Sequence, residues 1–112
     1  MRETYHLVPD EVWLTADADV PYEATSLEIE GFIHCTDGTE PLGVTFDRYY
    51  AADPRLFLAL TLDLDALEVP WRYDVVGSPY PHIYGPIDRR AIRAVSRVER
   101  QPDGQFAGLT PV

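Results

Sequence analysis

The chain has no lysine. All nine basic residues are arginine, so no side-chain amine is available for Schiff-base chemistry, while guanidinium groups remain for holding an anion. A single cysteine, Cys35, excludes an internal disulfide framework. The apolar stretches are strand-sized and interrupted by Asp or Thr, far short of the roughly 20 residues that span a bilayer, so no membrane helix is expected. The opening run MRETYHLVPDEVW puts a charge and a histidine where a secretory leader needs a continuous apolar stretch; a cytoplasmic location is the expectation. Basic charge is scarce as well. Nineteen acidic residues against nine arginines give a formal charge of -10, which repels a phosphate backbone at long range and sets nucleic acid aside as a partner. No Gly-rich phosphate loop of the Walker or dinucleotide type occurs, and no nucleophile elbow, which removes those enzyme classes.

What is present is an ordinary globular composition. Hydrophobic residues make up 46% and charged residues 25% of the chain, so neither disorder nor a fibrous repeat is indicated. At 112 residues the chain makes one domain, because two cores would leave each half too small to bury enough surface. Thr4–Val8 reads as a strand with Tyr5 and Leu7 on one face and His6 and Val8 on the other. Asp10 is placed to cap a short helix carrying Val12, Trp13 and Ala16, and Thr25-Ser26-Leu27-Glu28 has capping-box spacing for a second helix that Gly31 ends. Residues 32–36 then favour a strand with Phe32, His34 and Thr36 on one side and Ile33 and Cys35 on the other. Thr39 is placed to cap a further helix, in which Leu42, Phe46 and Tyr49 recur at helical spacing and which is predicted to run to about Ala52.

Beyond the Asp53-Pro54 break, leucines alternate from Leu56 to Leu64, the strongest strand pattern in the chain. Its second face starts apolar and turns acidic, which predicts a central strand covered on both sides at one end only. Further strands are expected at 71–76, around His82-Ile83-Tyr84 and over Ala91–Glu99, with a turn at Pro102-Asp103-Gly104 and a short closing strand after it. Strands outnumber helices, the helices fall in the N-terminal half, and no βαβ rhythm repeats. The fold class is therefore α+β with a mixed or antiparallel sheet.

Chemistry centres on the histidines. His34 and His82 sit on short strands beside apolar runs, and imidazole is the side chain whose ordinary pKa lies nearest neutrality. The ordinary alternative for each is a core histidine satisfied by hydrogen bonds. Pro79-Tyr80-Pro81-His82-Ile83-Tyr84-Gly85-Pro86 packs three prolines and a glycine around one histidine, a rigidity that suits a pocket holding His82 and Tyr84 on one side. Three histidines could in principle hold zinc, but no spacing resembles a local ligand pair, and no metal is assigned. Cys35 reads as a small buried hydrophobe. Glu68, Asp74, Glu99 and the pair Asp63 and Asp65 supply carboxylates that sequence alone does not pair.

TYHLV, a tryptophan helix, SLEIEGFIHCT, an aromatic helix ending RYY, LFLALTLDLDAL and PYPHIYGPI, taken in that order, resemble the bacterial family known as domain of unknown function 952, from Thr4 to about Ile87. That family in turn resembles the ADP-ribosyltransferase fold, in which an early strand carries a YHGT-like run and a later one a VHLS-like run, here Tyr5-His6-Leu7-Val8 and Ile33-His34-Cys35-Thr36. The resemblance implies an NAD-holding cleft, with His34 and His82 as catalytic candidates and His6, Thr36 and Tyr84 as cofactor-binding ones, Tyr84 by stacking. Two departures stand out. Arg72 occupies a position that is acidic in many members, and Leu7 stands where the GT pair would. The expected partner is a small molecule. Besides NAD chemistry, the same residues suit a non-catalytic ligand-binding module or a histidine acid and base acting on an unrelated metabolite.

Overall fold

The alternating leucines decide the architecture. In the computed structural model, which describes all 112 residues, the elements run β1 (Glu3–Pro9), α1 (Asp10–Thr15), α2 (Thr25–Glu30), β2 (Ile33–His34), α3 (Thr39–Tyr49), β3 (Phe57–Asp63), β4 (Trp71–Arg72), β5 (His82–Ile83), β6 (Ile92–Arg100) and β7 (Phe106–Pro111). Four of the strands form an antiparallel sheet in the order β1-β3-β6-β7, and the short ones a second sheet in the order β2-β5-β4. Leu58, Leu60 and Leu62 of β3, with Leu64 beyond it, face the small sheet and pack with Ile33 and Ile83. Phe57 and Ala59 face the other way, onto Leu42 and Phe46 of α3 and onto Val98. The result is three layers, and each fully buried leucine contributes roughly 1.5–3 kcal/mol through removal from water.

β3 is buried on both faces along nearly its whole length, including Asp63, which accepts hydrogen bonds from the backbone of Arg2 and Asp65 and from the Arg93 guanidinium. These bonds, the Arg2 amide foremost, hold the Asp63 carboxyl below its ordinary pKa. Two backbone links tie the layers together. Tyr5 and Thr36 exchange hydrogen bonds of 2.9 and 2.8 Å, and Tyr22 and Ile87 exchange bonds of 2.8 and 2.7 Å. The first link joins the free edge of β1 to the end of the small sheet.

Several local expectations are corrected. Asp10 is the first helical residue rather than the cap, since the chain enters α1 from Pro9 in extended conformation; likewise Ala24 caps α2 and Thr25 lies inside it, so neither helix has a side-chain cap bond. Gly31 does end α2, at a φ of 85° that favours glycine. α3 stops at Tyr49 instead of about Ala52, because the carbonyls of Tyr50 and Ala51 turn to the Arg100 guanidinium at 3.1 and 3.0 Å. The leucine strand ends at Asp63, whose side chain accepts from the Asp65 amide and starts a 3-10 turn over Leu64–Ala66. β4 covers only 71–72, not 71–76. In β6 a register shift opposite Thr61 and Leu62 lets Ile92 and Val95 both reach the first core while Val98 joins the second, which breaks the strict alternation expected there.

Candidate active site

Antiparallel pairing places directly opposed side chains on the same face of a sheet. In the small sheet Ile33, Ile83 and Trp71 form one cross-strand row against the core, and His34, His82 and Arg72 form the next row on the opposite face. Phe32 and Tyr84 flank that outer row. The register thus brings together two histidines that are 48 positions apart: their ring centroids lie 5.7 Å from each other. Phe32 stacks on His82 at 3.9 Å and 16°, fixing the ring plane from below.

Each imidazole has one nitrogen committed. His82 Nδ1 lies 2.7 Å from Asp74 Oδ2. The carboxylate only accepts, so that nitrogen carries the proton and Nε2 presents its lone pair. Asp74 also accepts from the Tyr84 hydroxyl and, at 2.7 Å, from Arg72 Nε. These three donors, Tyr84 foremost, pull the Asp74 carboxyl down to about 2 and keep it ionised. Arg72 also lies over the Tyr84 ring at 4.1 Å. His34 Nε2 donates to Glu30 Oε2 at 2.9 Å, one helical turn back across the Gly31 cap, leaving Nδ1 free.

His6 is different in kind. Its side chain lies on the core face of β1 at 7% exposure. His6 Nδ1 donates to the His34 carbonyl at 2.7 Å, which obliges Nε2 to accept from the Tyr22 hydroxyl at 3.1 Å. Burial outweighs the bond to His34 and depresses its pKa to about 4, so the ring is neutral. Cys35 is buried beside it, and burial pushes its thiol well above the ordinary range, leaving it unreactive.

A cleft of about 810 Å³ runs over the free edge of β1, between α3 and the small sheet, and His6, His34, Thr36 and His82 line it. Tyr84, expected there as a stacking platform, is not among the lining residues; it stands behind His82 as a partner of Asp74. The electrostatic character of the cleft opposes that of the chain. All three histidines, Arg48 and Arg55 line it, with Glu30 as the one carboxylate out of nineteen acidic residues. Arg55 is committed to Asp53 and Glu11, whereas Arg48 makes no ion pair. The strand edge adds a neutral element. Both backbone groups of Tyr5 turn outward to Thr36, and alternation turns the amide and carbonyl of Leu7 outward too, into the cleft. The Leu7 side chain packs with the α3 core, which keeps that edge accessible.

Asp74, which joins His82, Tyr84 and Arg72, is the candidate that sequence reasoning left unpaired, and Arg48 was not singled out at all. No group of three or more His, Cys, Asp or Glu side chains is arranged to hold a metal ion. No helix is long and apolar enough to cross a membrane.

A family model described as a protein of unknown function, DUF952, matches residues 7–95. No curated protein matches the chain. The X-ray structures of protein CC0527 from Caulobacter crescentus and of its double mutant resemble this one with a TM-score of 0.75, at 19% and 18% identity respectively, over 94% of this chain and 93% of theirs. At such identity the likeness shows the fold alone.

Proposed function

The chain belongs to the DUF952 family, and from its site we propose that it is a small-molecule enzyme of ADP-ribosyltransferase-like architecture that takes a nucleotide of the NAD type into the cleft, with His34 and His82 as acid and base. The observation that carries this reading is the gathering of every histidine in an acidic chain along one concavity with a single carboxylate. A volume of about 810 Å³ lies within the range of roughly 300–1,000 Å³ usual for ligand sites. The outward amide and carbonyl of Leu7 complement a carboxamide, which offers one acceptor and one donor, and Arg48 supplies cationic charge for a phosphate. Thr36 closes the floor where β1 meets the small sheet. Within this reading His6 acts from behind, holding the His34 carbonyl, and Tyr84 holds Asp74 rather than the ligand. The partner is a small molecule and not nucleic acid, since the formal charge of -10 opposes a polyanion.

The Asp74–His82 pair favours a second reading, acid/base work on an unrelated metabolite, because a carboxylate that fixes the tautomer and steadies an imidazolium is what a general base needs. Thermal melting against NAD, ADP-ribose and a metabolite set tests the first reading. A nucleotide at about 100 times its Kd adds roughly 2.7 kcal/mol, a rise of roughly 10 °C. No response to any nucleotide overturns it. Nicotinamide release by the wild type but not by His34→Ala supports turnover, and a melting shift with no product identifies a non-catalytic binding module instead.

A further inference from the structure

The same groups that favour a nucleotide ligand say which of its bonds they suit. Breaking an N-glycosidic bond builds positive charge on a ribose, and an enzyme lowers that barrier with a carboxylate facing the sugar. This cleft has no free carboxylate. Glu30 is engaged by His34, and Asp74 lies outside the lining, held by Tyr84, Arg72 and His82. Displacement at phosphorus makes the opposite demand: negative charge spreads over the phosphoryl oxygens, one proton leaves the nucleophile, and one arrives on the leaving oxygen. Two imidazoles 5.7 Å apart, each with one nitrogen anchored and one free, and an unpaired arginine in the same cleft meet all three requirements.

We infer that the site hydrolyses a phosphodiester bond of a small nucleotide, with His82 as base, His34 as acid and Arg48 as the anion anchor. His82 Nε2 takes a proton from water, whose oxygen bonds to phosphorus. The bond from phosphorus to the leaving oxygen breaks with its electron pair, and protonated His34 gives that oxygen the Nδ1 proton. One diester and one water become a phosphomonoester and an alcohol, and the proton lost by His34 equals the one gained by His82. Asp74 steadies the charge on His82 as Glu30 does on His34. This inference rests on the cleft being a nucleotide site, and it replaces the glycosidic bond by the phosphoester as the point of attack.

The test incubates the wild-type protein with 2′,3′-cyclic AMP, bis(4-nitrophenyl) phosphate and NAD, follows products by chromatography, and records melting shifts with the same compounds. Cleavage of the diesters is expected, with a bell-shaped pH profile. His34→Gln and His82→Gln, at unchanged melting temperature, should each lower kcat by about 10²–10⁴-fold. Arg48→Gln, at an exposed position, should lower kcat/KM by about tenfold, through kcat as well as KM, because the guanidinium meets charge that builds during the displacement. A melting shift with the cyclic nucleotide left intact overturns the inference and leaves the nucleotide reading standing, as does nicotinamide release with every phosphoester untouched. Cleavage undiminished in both histidine variants overturns it too. If no nucleotide shifts the melting temperature, the nucleotide reading fails and this inference falls with it.

Discussion

The buried histidine gives the sharpest test of the packing argument. His6 is neutral in the folded chain with a pKa near 4, while in the unfolded chain it titrates near 6.5. Between those values the unfolded state binds a proton that the folded state refuses, so the part of the stability that His6 controls falls as pH drops from about 6.5 and levels off below about 4, while the loss from carboxylates such as Asp74 continues further into acid. The separation corresponds to about 3 kcal/mol, a large share of the roughly 5–15 kcal/mol that holds a domain of this size together. Urea unfolding measured at half-unit steps from pH 7.5 to 3.5 reads the loss directly. His6→Asn supplies the control, since its amide can still donate to the His34 carbonyl but does not titrate. The variant will be less stable at pH 7.5, where the Tyr22 hydroxyl loses its acceptor, yet its curve should be flatter by about 3 kcal/mol across the acid window. Parallel curves for the two proteins would refute the reasoning, and a wild type that gains stability on acidification would reverse its sign.

Three further outcomes are expected. Thr4→Val should be neutral or stabilise by about 1 kcal/mol in urea unfolding, because the Thr4 hydroxyl is fully buried with no hydrogen-bond partner; clear destabilisation would mean that it has one. Gly85→Ala should cost about 1–3 kcal/mol, since the new Cβ would lie 2.6 Å from Val69 Cγ1, and adding Val69→Ala should recover part of the loss in a double-mutant cycle. Asp74→Asn should leave the melting temperature of the free protein nearly unchanged while shrinking the shift produced by a bound nucleotide, because it releases His82, Tyr84 and Arg72 together at an exposed site; an unaltered ligand response would remove Asp74 from the site.

The long strands were legible because each has a face that must be buried along its length. Leu58, Leu60 and Leu62 keep period two over a buried surface, so their side of the sheet could be read directly. The short elements were less so. Pairing β2 with β5 takes two residues from each, and nothing in a span of 48 positions announces that His34 will oppose His82. Asp74 stayed unpaired because a strand through Val76 would have carried it away from the histidine. Turn residues Gly77, Ser78 and Pro79 midway between Asp74 and His82 were the available sign that the chain folds back there. His6, a cofactor-binding candidate only through the family resemblance, does line the cleft, while its strand pattern sets it beside Val8 on the core face of β1, where both ring nitrogens are engaged. The helix caps were misplaced by one residue, since an extended Pro9 or Ala24 serves as entry without any side-chain bond.

The three imidazoles therefore divide by strand face rather than by chemistry. His6 faces the core and is held neutral, and through the carbonyl of His34 it fixes the backbone of the strand whose own imidazole faces outward. The charge distribution divides in a similar way. An acidic envelope repels any partner in proportion to its length and charge, but at physiological salt that repulsion is screened beyond about 8 Å. A polyanion must lie across many carboxylates within that distance, whereas a ligand small enough for a cleft of about 810 Å³ meets Arg48 and Glu30 directly, and Glu11, Asp53 and Asp74 only behind the Arg55 and His82 side chains that they pair with. Keeping eighteen of the nineteen acidic residues out of the cleft lining would thus discriminate between anions by size, which makes the proposed anion site compatible with an acidic chain.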